Sequence, residues 1–183
     1  CILSQHTSDR NSHAAFASLR RAFPSWEQVL DAPEEDVAET IRHGGLANRK
    51  AALIRGCLRA ILQRTGTLDL GFLREMEAKE AAAWLQDLPG VGPKTAAIVL
   101  SFSLGRDVVA VDTHVFRVGG RLGFYDPKIG ADRAHKAFAQ IVPSGMGYRT
   151  HMALIVHGRL VCKAGRPRCE ACPVAERCPG RIG

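Results

Sequence analysis

Apolar residues recur at intervals of three and four positions along nearly the whole chain, and this spacing constrains the fold more than any other feature of the sequence. It places apolar side chains on one face of an α-helix, whereas no Val- or Ile-rich alternation persists long enough to form a sheet. We therefore predict an all-α fold. Helices are predicted over residues 12–23, 33–42, 48–65, 78–88, 94–104, 113–122, 132–142 and 147–161.

Residues at several predicted helix ends are of the types that start or stop helices. Ser25 follows Pro24 and is expected to cap a helix, because its hydroxyl can accept a hydrogen bond from an unpaired backbone N–H. The acidic residues 34–36 fall in a first turn, where the helix dipole favours negative charge. Gly66 is expected to end the long helix before it.

The composition limits the classes of partner. The chain has 183 residues, 46% of them hydrophobic and 23% charged, which suffices for one domain or two small ones. No apolar run approaches the roughly 18 residues that cross a bilayer, so we expect no membrane partner. Lys and Arg outnumber Asp and Glu by 25 to 18, giving a net charge of +7 that favours a polyanionic partner.

The numbering begins at Cys1 without a methionine, and residues 1–3 are predicted to be the middle of a buried helix. We therefore expect that a segment upstream is missing. No export signal is visible, which favours a reducing compartment, the cytoplasm, in which disulfides are rare. Cys1 and Cys57 are expected to be small buried hydrophobic residues.

The short connection at residues 88–92, Leu-Pro-Gly-Val-Gly, separates two predicted helices. So tight a turn needs residues that adopt positive φ, and both Gly90 and Gly92 can do so. Without Cβ atoms they also let backbone N–H groups at a helix start approach an anion such as a DNA phosphate. The alternative is an ordinary helix-to-helix turn with a glycine cap.

Lys94 lies in the first turn of the helix after this connection, where the positive end of the dipole disfavours an ammonium and favours a nucleophilic amine. Such an amine can attack C1′ of a nucleotide, or it can simply neutralise a phosphate. Asp112 stands 18 residues further on, after an apolar run and before another helix. Its position suits a helix cap, a catalytic carboxylate, or both.

Four cysteines near the C-terminal end follow the spacing C-x6-C-x2-C-x5-C, at Cys162, Cys169, Cys172 and Cys178. Thiols this close together in sequence form disulfides or bind metal, and a reducing compartment disfavours disulfides. Zinc accepts four cysteines, but structural zinc sites usually pair two short C-x2-4-C segments and only one is present. An iron-sulfur cluster is the other candidate.

The string LPGVGPKTA at residues 88–96, the string VDTH at 111–114 and the cysteine spacing together resemble the helix-hairpin-helix DNA glycosylases of the endonuclease III family. The resemblance implies two helical subdomains with a cleft between them. The first spans residues 1–104 with the hairpin at 78–104, and the second spans 105–183 with a cluster loop at 162–178. The N-terminal segment of the family is absent from this sequence.

The resemblance also implies a bifunctional enzyme of base excision repair. Lys94 would displace an oxidised pyrimidine of the thymine glycol type, hold the sugar as a Schiff base and permit β-elimination. Asp112 would stabilise the positive charge that develops on the sugar. The four cysteines would hold a [4Fe-4S] cluster. The enzyme would act as a cytoplasmic, or in bacteria nucleoid-associated, monomer on duplex DNA with damaged bases or abasic sites.

Further residues are expected to contact DNA by the same resemblance. Gln5 would fill the gap left by an extruded nucleotide and Leu46 would wedge the duplex open. The remaining predicted contacts, to the phosphate backbone, are made by the hairpin residues Gly90, Val91 and Gly92, by His114, and by the basic loop residues Lys163, Arg166 and Arg168. The alternatives are a mismatch or uracil-type glycosylase on the same scaffold and a non-catalytic DNA-binding module.

Overall fold

The structure, a computed structural model, describes residues 1–181; residues 182–183, the end of the predicted second subdomain, lie outside the described residues. No β-strand forms within residues 1–181, which confirms the predicted all-α fold. The α-helices are α1 (Asp9–Ala22), α2 (Trp26–Asp31), α3 (Glu34–Thr40), α4 (Ala47–Thr65), α5 (Ala78–Gln86), α6 (Pro93–Ile98), α7 (Thr113–Arg121), α8 (Ala131–Ile141) and α9 (Gly147–Leu160).

Short 3-10 turns and one π-helical turn connect these helices. The predicted helix over residues 94–104 remains α-helical only to Ile98 and continues as a π-helix over Val99–Ser103. The wider π turn is a local rearrangement of backbone hydrogen bonding that helical periodicity does not reveal. The 3-10 turns lie at Ile2–Ser4, Arg42–Gly44, Gly71–Arg74, Pro127–Ile129, Cys169–Ala171 and Ala175–Arg177.

The predicted caps act as expected. The Ser25 hydroxyl accepts a hydrogen bond from the Gln28 backbone while the Gln28 side chain accepts one from the Ser25 backbone, a reciprocal capping box that starts α2. Gly66 ends α4 in the left-handed conformation with a φ of 71°. Because both signals act over a few residues, they are legible in the sequence.

Two predictions about the first residues and the isolated cysteines are wrong. Residues 1–3 are not the middle of a buried α-helix, since they lead into a 3-10 turn of three residues in which only Leu3 is buried. Cys1 is exposed, and Cys57 is half-buried, with a thiol pKa raised by burial. Apolar neighbours in the sequence therefore did not determine the burial of either thiol.

The chain divides into two compact units, residues 1–92 and the part that begins at Pro93. In the first unit α1 and α3 pack with α4 around a core that contains Leu19, Val37 and Ile54. In the second unit α7 packs against α9, and Val115, Phe138 and Leu154 lie in its core. Lys94 and Asp112 both belong to the second unit.

No helix within residues 1–181 combines the length and apolar character needed to cross a membrane. The longest helix, Ala47–Thr65, has 19 residues but carries several arginines and one lysine.

Candidate active site and cysteine loop

The turn before α6 is anchored by its two apolar residues. Leu88 and Val91 are buried, and the Val91 backbone N–H donates to the Leu88 carbonyl at 3.1 Å. Burial of this pair fixes the turn against the first unit. The Val91 side chain faces the core and its N–H is already bonded, so the exposed backbone of the turn belongs to Gly90 and Gly92.

The two glycines of this turn differ in conformation. Gly90 has a φ of 75°, and a Cβ there would lie 3.1 Å from the Leu53 side chain, so both the backbone and the packing require glycine. Gly92 does not adopt positive φ, contrary to the prediction for both residues. A single left-handed residue suffices here because helix α6 begins directly at Pro93, whose fixed φ suits a first helical turn.

Lys94 is the second residue of α6 and its side chain is exposed. The three residues after it, Thr95, Ala96 and Ala97, are buried and hold the short helix in the second unit. The predicted location of the amine, in the first turn after the glycine connection, therefore agrees with the structure.

Asp112 caps α7, as one of its two expected roles required. Its Oδ1 accepts a hydrogen bond of 2.7 Å from the Val115 backbone N–H, and its backbone is extended. The side chain is only half-buried. Capping fixes the carboxylate at the helix start, and a carboxylate held in this way can also stabilise a nearby cation.

His151 on α9 is the site residue that the sequence reasoning missed. Its side chain is 2% exposed, and its Nδ1 lies 2.6 Å from the Ala110 carbonyl oxygen, two residues before Asp112. It falls with Leu154 and Gly158 on the buried stripe of α9, so helical periodicity could have identified it as a buried histidine.

The electrostatic environment of His151 brings Lys94 and Asp112 together. Burial lowers the pKa of His151, the hydrogen bond to Ala110 and the negative charge of Asp112 oppose that shift, and the positive charge of Lys94 adds to it. One buried imidazole therefore senses both charges. The amine and the carboxylate accordingly lie near the same ring, within the second unit.

A second histidine supports the segment that leads to Asp112. Burial lowers the pKa of His135 on α8, while a hydrogen bond with the Val109 backbone and the charge of Asp132 oppose the shift. His135 and His151 thus bond to adjacent residues, Val109 and Ala110, from two different helices. This pair of contacts fixes the approach of the chain to the α7 cap.

The four cysteines of the C-terminal loop are half-buried, are not joined by disulfides, and line one pocket of about 370 Å³. Within residues 1–181, no three His, Cys, Asp or Glu side chains converge closely enough to hold a single metal ion. A lone zinc ion would require four sulfurs at about 2.3 Å from one point, whereas a cluster spreads its thiolates over several iron atoms. The donor set therefore fits an iron-sulfur cluster. The ligands are Cys162, Cys169, Cys172 and Cys178.

Two N–H-bearing side chains approach the sulfurs. Arg121, the last residue of α7, donates to Cys162 Sγ at 3.4 Å and to the carbonyls of Lys163 and Ala164 at 2.7 and 3.0 Å. His157 Nε2 lies 3.7 Å from Cys172 Sγ. Since Asp112 begins the helix that Arg121 ends, α7 connects the carboxylate to the cysteine loop.

The remaining predicted contact residues are distributed over both units. In the first unit Gln5 is half-buried and its Nε2 donates to the Gly90 carbonyl at 2.9 Å, while Leu46 is 54% exposed with a φ of 52°. In the second unit His114 Nδ1 lies 3.1 Å from an Arg117 guanidinium nitrogen. The three basic residues of the cysteine loop, Lys163, Arg166 and Arg168, are exposed.

Comparison with known families assigns the chain. Residues 1–144 match the HhH-GPD superfamily of base excision DNA repair proteins, and residues 162–178 match the iron-sulfur binding domain of endonuclease III. The chain therefore belongs to the HhH-GPD superfamily. The predicted likeness to endonuclease III glycosylases and the predicted iron-sulfur cluster are confirmed at the level of the family.

Individual relatives and structures agree with this assignment. Endonuclease III of Escherichia coli is 34% identical over 97% of this chain and 79% of its own length. A candidate DNA glycosylase of Arabidopsis thaliana is 35% identical over 87% of this chain, which spans only 54% of that relative. Two structures of endonuclease III with DNA, one non-covalent and one a trapped covalent intermediate, superpose with TM-scores of 0.84 and 0.83 at 31% and 32% identity. Each covers 98% of this chain, which spans 79% and 80% of the two matched chains.

Proposed function

We propose that the chain is a bifunctional DNA glycosylase and abasic-site lyase that removes oxidised pyrimidines from duplex DNA. The observation that carries this proposal is the placement of the Lys94 amine and the Asp112 carboxylate around the buried His151 ring. An amine and a carboxylate in one place provide a nucleophile and a counter-charge, the two groups that displacement at C1′ needs. Relatives named endonuclease III, one trapped covalently on DNA, support the same reaction class.

The proposed reaction begins when the Lys94 nitrogen forms a bond to C1′ and the glycosidic bond breaks. The base leaves with the electron pair and gains a proton, and the Asp112 carboxylate stabilises the positive charge on the sugar. Loss of a proton from nitrogen and opening of the sugar ring give a Schiff base. Removal of a proton from C2′ then expels the 3′ phosphate by β-elimination, and water releases the sugar remnant from Lys94.

Contacts to the DNA backbone would come from two places. The exposed glycine backbone around residues 90–92 would approach a phosphate, and the basic residues Lys163, Arg166 and Arg168 would neutralise phosphates beside the cysteine loop. When bound, the cluster would supply rigidity to that loop. We expect the protein to act as a monomer in the cytoplasm or nucleoid.

A panel of duplexes tests the reaction class. We expect thymine glycol to be released at least roughly 100-fold faster than an undamaged base, because recognition by buried polar groups discriminates strongly. Strand scission without added alkali should accompany release. Base release and scission are scored separately on duplexes with thymine glycol, uracil, a G:T mismatch or no lesion. Release from uracil or the mismatch alone would favour the alternative glycosylase, and salt-dependent binding without release would favour a non-catalytic module.

The cysteine loop gives a second test. Cys169→Ala should yield a protein that has lost the broad visible absorption and the iron of the wild type, whereas Cys57→Ala, a matched change at a half-buried thiol elsewhere, should retain both. The dependence of log affinity for duplex DNA on log salt should become shallower by about 2 to 3, since three basic residues lose their fixed loop. A colourless wild-type protein with one zinc ion would contradict the cluster.

A further inference from the structure

Lys50, near the start of α4, is a charged side chain buried inside the first unit. Its side chain is only 2% exposed, and burial lowers its pKa. The Nζ donates to the Leu3 carbonyl at 2.9 Å and to the Gly44 carbonyl at 2.7 Å. One amine thus bonds to two backbone segments that lie 47 and 6 residues away in sequence.

Each of these segments ends in a residue proposed to enter the DNA. The turn Ile2–Ser4 leads directly to Gln5, whose backbone N–H bonds to the Ile2 carbonyl at 3.1 Å. The turn Arg42–Gly44 leads to Leu46. Lys50 holds Leu46 from both sides, because its own backbone N–H donates to the Leu46 carbonyl at 2.9 Å while its Nζ holds the residue that precedes Gly45.

Backbone strain is concentrated in the same two segments. Within residues 1–181, the non-glycine residues with positive φ are His6, at 51°, and Leu46, at 52°. Left-handed φ is unfavourable for residues with a Cβ, so such conformations persist only where the surrounding structure enforces them. One strained residue therefore follows Gln5 and the other is the exposed leucine itself, and both segments share one internal donor.

We propose that Lys50 is a positioning residue that couples the Gln5 and Leu46 segments, so that the two side chains enter an opened duplex as one unit. This inference rests on the proposed function, because it takes an extruded nucleotide as the occasion for both insertions. An apolar side chain at position 50 would fill the same space without desolvating an amine. What the amine adds is a fixed geometry for two carbonyls at once, which fixes the spacing of the two loops.

A double-mutant cycle tests the coupling. Dissociation constants are measured for Gln5→Ala, Leu46→Ala and the double variant on a duplex that contains a tetrahydrofuran abasic analogue. We expect the loss in the double variant to differ from the product of the single losses by at least about threefold, as for residues that act together. Losses that multiply independently, within about 1.5-fold, would overturn the proposal without any change at Lys50.

Substitution of Lys50 provides the second arm. We expect Lys50→Met to weaken binding to the abasic duplex about tenfold or more, to leave binding to undamaged duplex within about twofold, and to remove the coupling. Arg55→Met is the matched control, since Arg55 is another partly buried cation of α4 that donates to a carbonyl, Leu30 at 3.1 Å, away from both segments. Equal losses of abasic binding in the two variants would mean that stability alone explains the effect and would overturn the proposal.

The two arms also separate this proposal from the proposed function. A wild-type protein that does not prefer the abasic duplex over the undamaged one would contradict the proposed function. A wild-type protein with that preference, whose Lys50→Met variant keeps both the preference and the coupling, would contradict only the role of Lys50.

Discussion

Lys94→Gln is expected to abolish the covalent adduct that borohydride traps between the protein and an abasic duplex, and to slow strand scission at least about 1,000-fold. The physical reason is that the amide of glutamine cannot form a Schiff base, so the intermediate that is reduced never exists. Because Lys94 is exposed, the free energy of unfolding should change by less than about 0.5 kcal/mol. Adduct formation is measured by a gel shift of labelled DNA under denaturing conditions.

Lys136→Gln is the matched control for charge. Lys136 is an exposed lysine on α8 in the same unit, so its substitution removes the same charge from the second unit without removing the proposed nucleophile. It should retain the adduct. An undiminished adduct in Lys94→Gln would instead assign the nucleophile to another amine and would leave Lys94 with the role of neutralising a phosphate.

The Lys94 variant also carries a structural readout that does not depend on catalysis. The positive charge of Lys94 lowers the pKa of His151, so removal of that charge should raise the pKa of His151. The change can be followed by NMR titration of the imidazole. A pKa of His151 that does not move would place the amine away from the ring and would contradict the site geometry.

Asp112→Asn is expected to slow base release about 100- to 1,000-fold while leaving stability within about 0.5 kcal/mol. Asparagine caps a helix about as well as aspartate, so the Val115 bond is kept, but the negative charge that stabilises a cationic sugar is lost. Single-turnover base release and thermal unfolding are the two measurements. The pKa of His151 should fall in this variant, since the Asp112 charge raises it.

Comparison with two other variants separates capping from catalysis. Asp112→Ala removes both the charge and the cap and should cost about a further 1 kcal/mol of stability. Ser8→Ala removes only a cap, the 3.3 Å bond from the Asn11 backbone to the Ser8 hydroxyl, and should keep full activity. Full base release by Asp112→Asn would show that Asp112 is a helix cap and nothing more.

The part of the fold that was predictable from the sequence is the part set by short-range signals. Helical periodicity predicted the long helix that ends at Gly66 and the helix that ends near the first cysteine. The capping box of Ser25 depends on residues three positions apart, and the location of Lys94 depends on the glycine turn just before it. Where only one turn changes its hydrogen bonding, as in Val99–Ser103, the same periodicity was uninformative.

The candidate site was predictable to the same extent. The strings around Lys94 and Asp112 and the cysteine spacing are local, and each indicates its chemistry through residues that are close together in the chain. The burial of Val91 and the ordinary φ of Gly92 were not predictable, because they depend on how the turn packs and how α6 begins. The exposure of Leu46 likewise depends on a buried donor four residues later in the chain.

By itself, the sequence determined the helical class, the glycine turn with its lysine, the capping aspartate and the four thiols, since each is encoded within a few neighbouring residues. Only the tertiary structure decided that His151 lies beside Lys94 and Asp112, that Arg121 secures the cysteine loop, and that Lys50 joins two distant turns. These last contacts span about 40 or more residues of sequence, and burial and hydrogen-bond partners at that range exist only once the helices have packed.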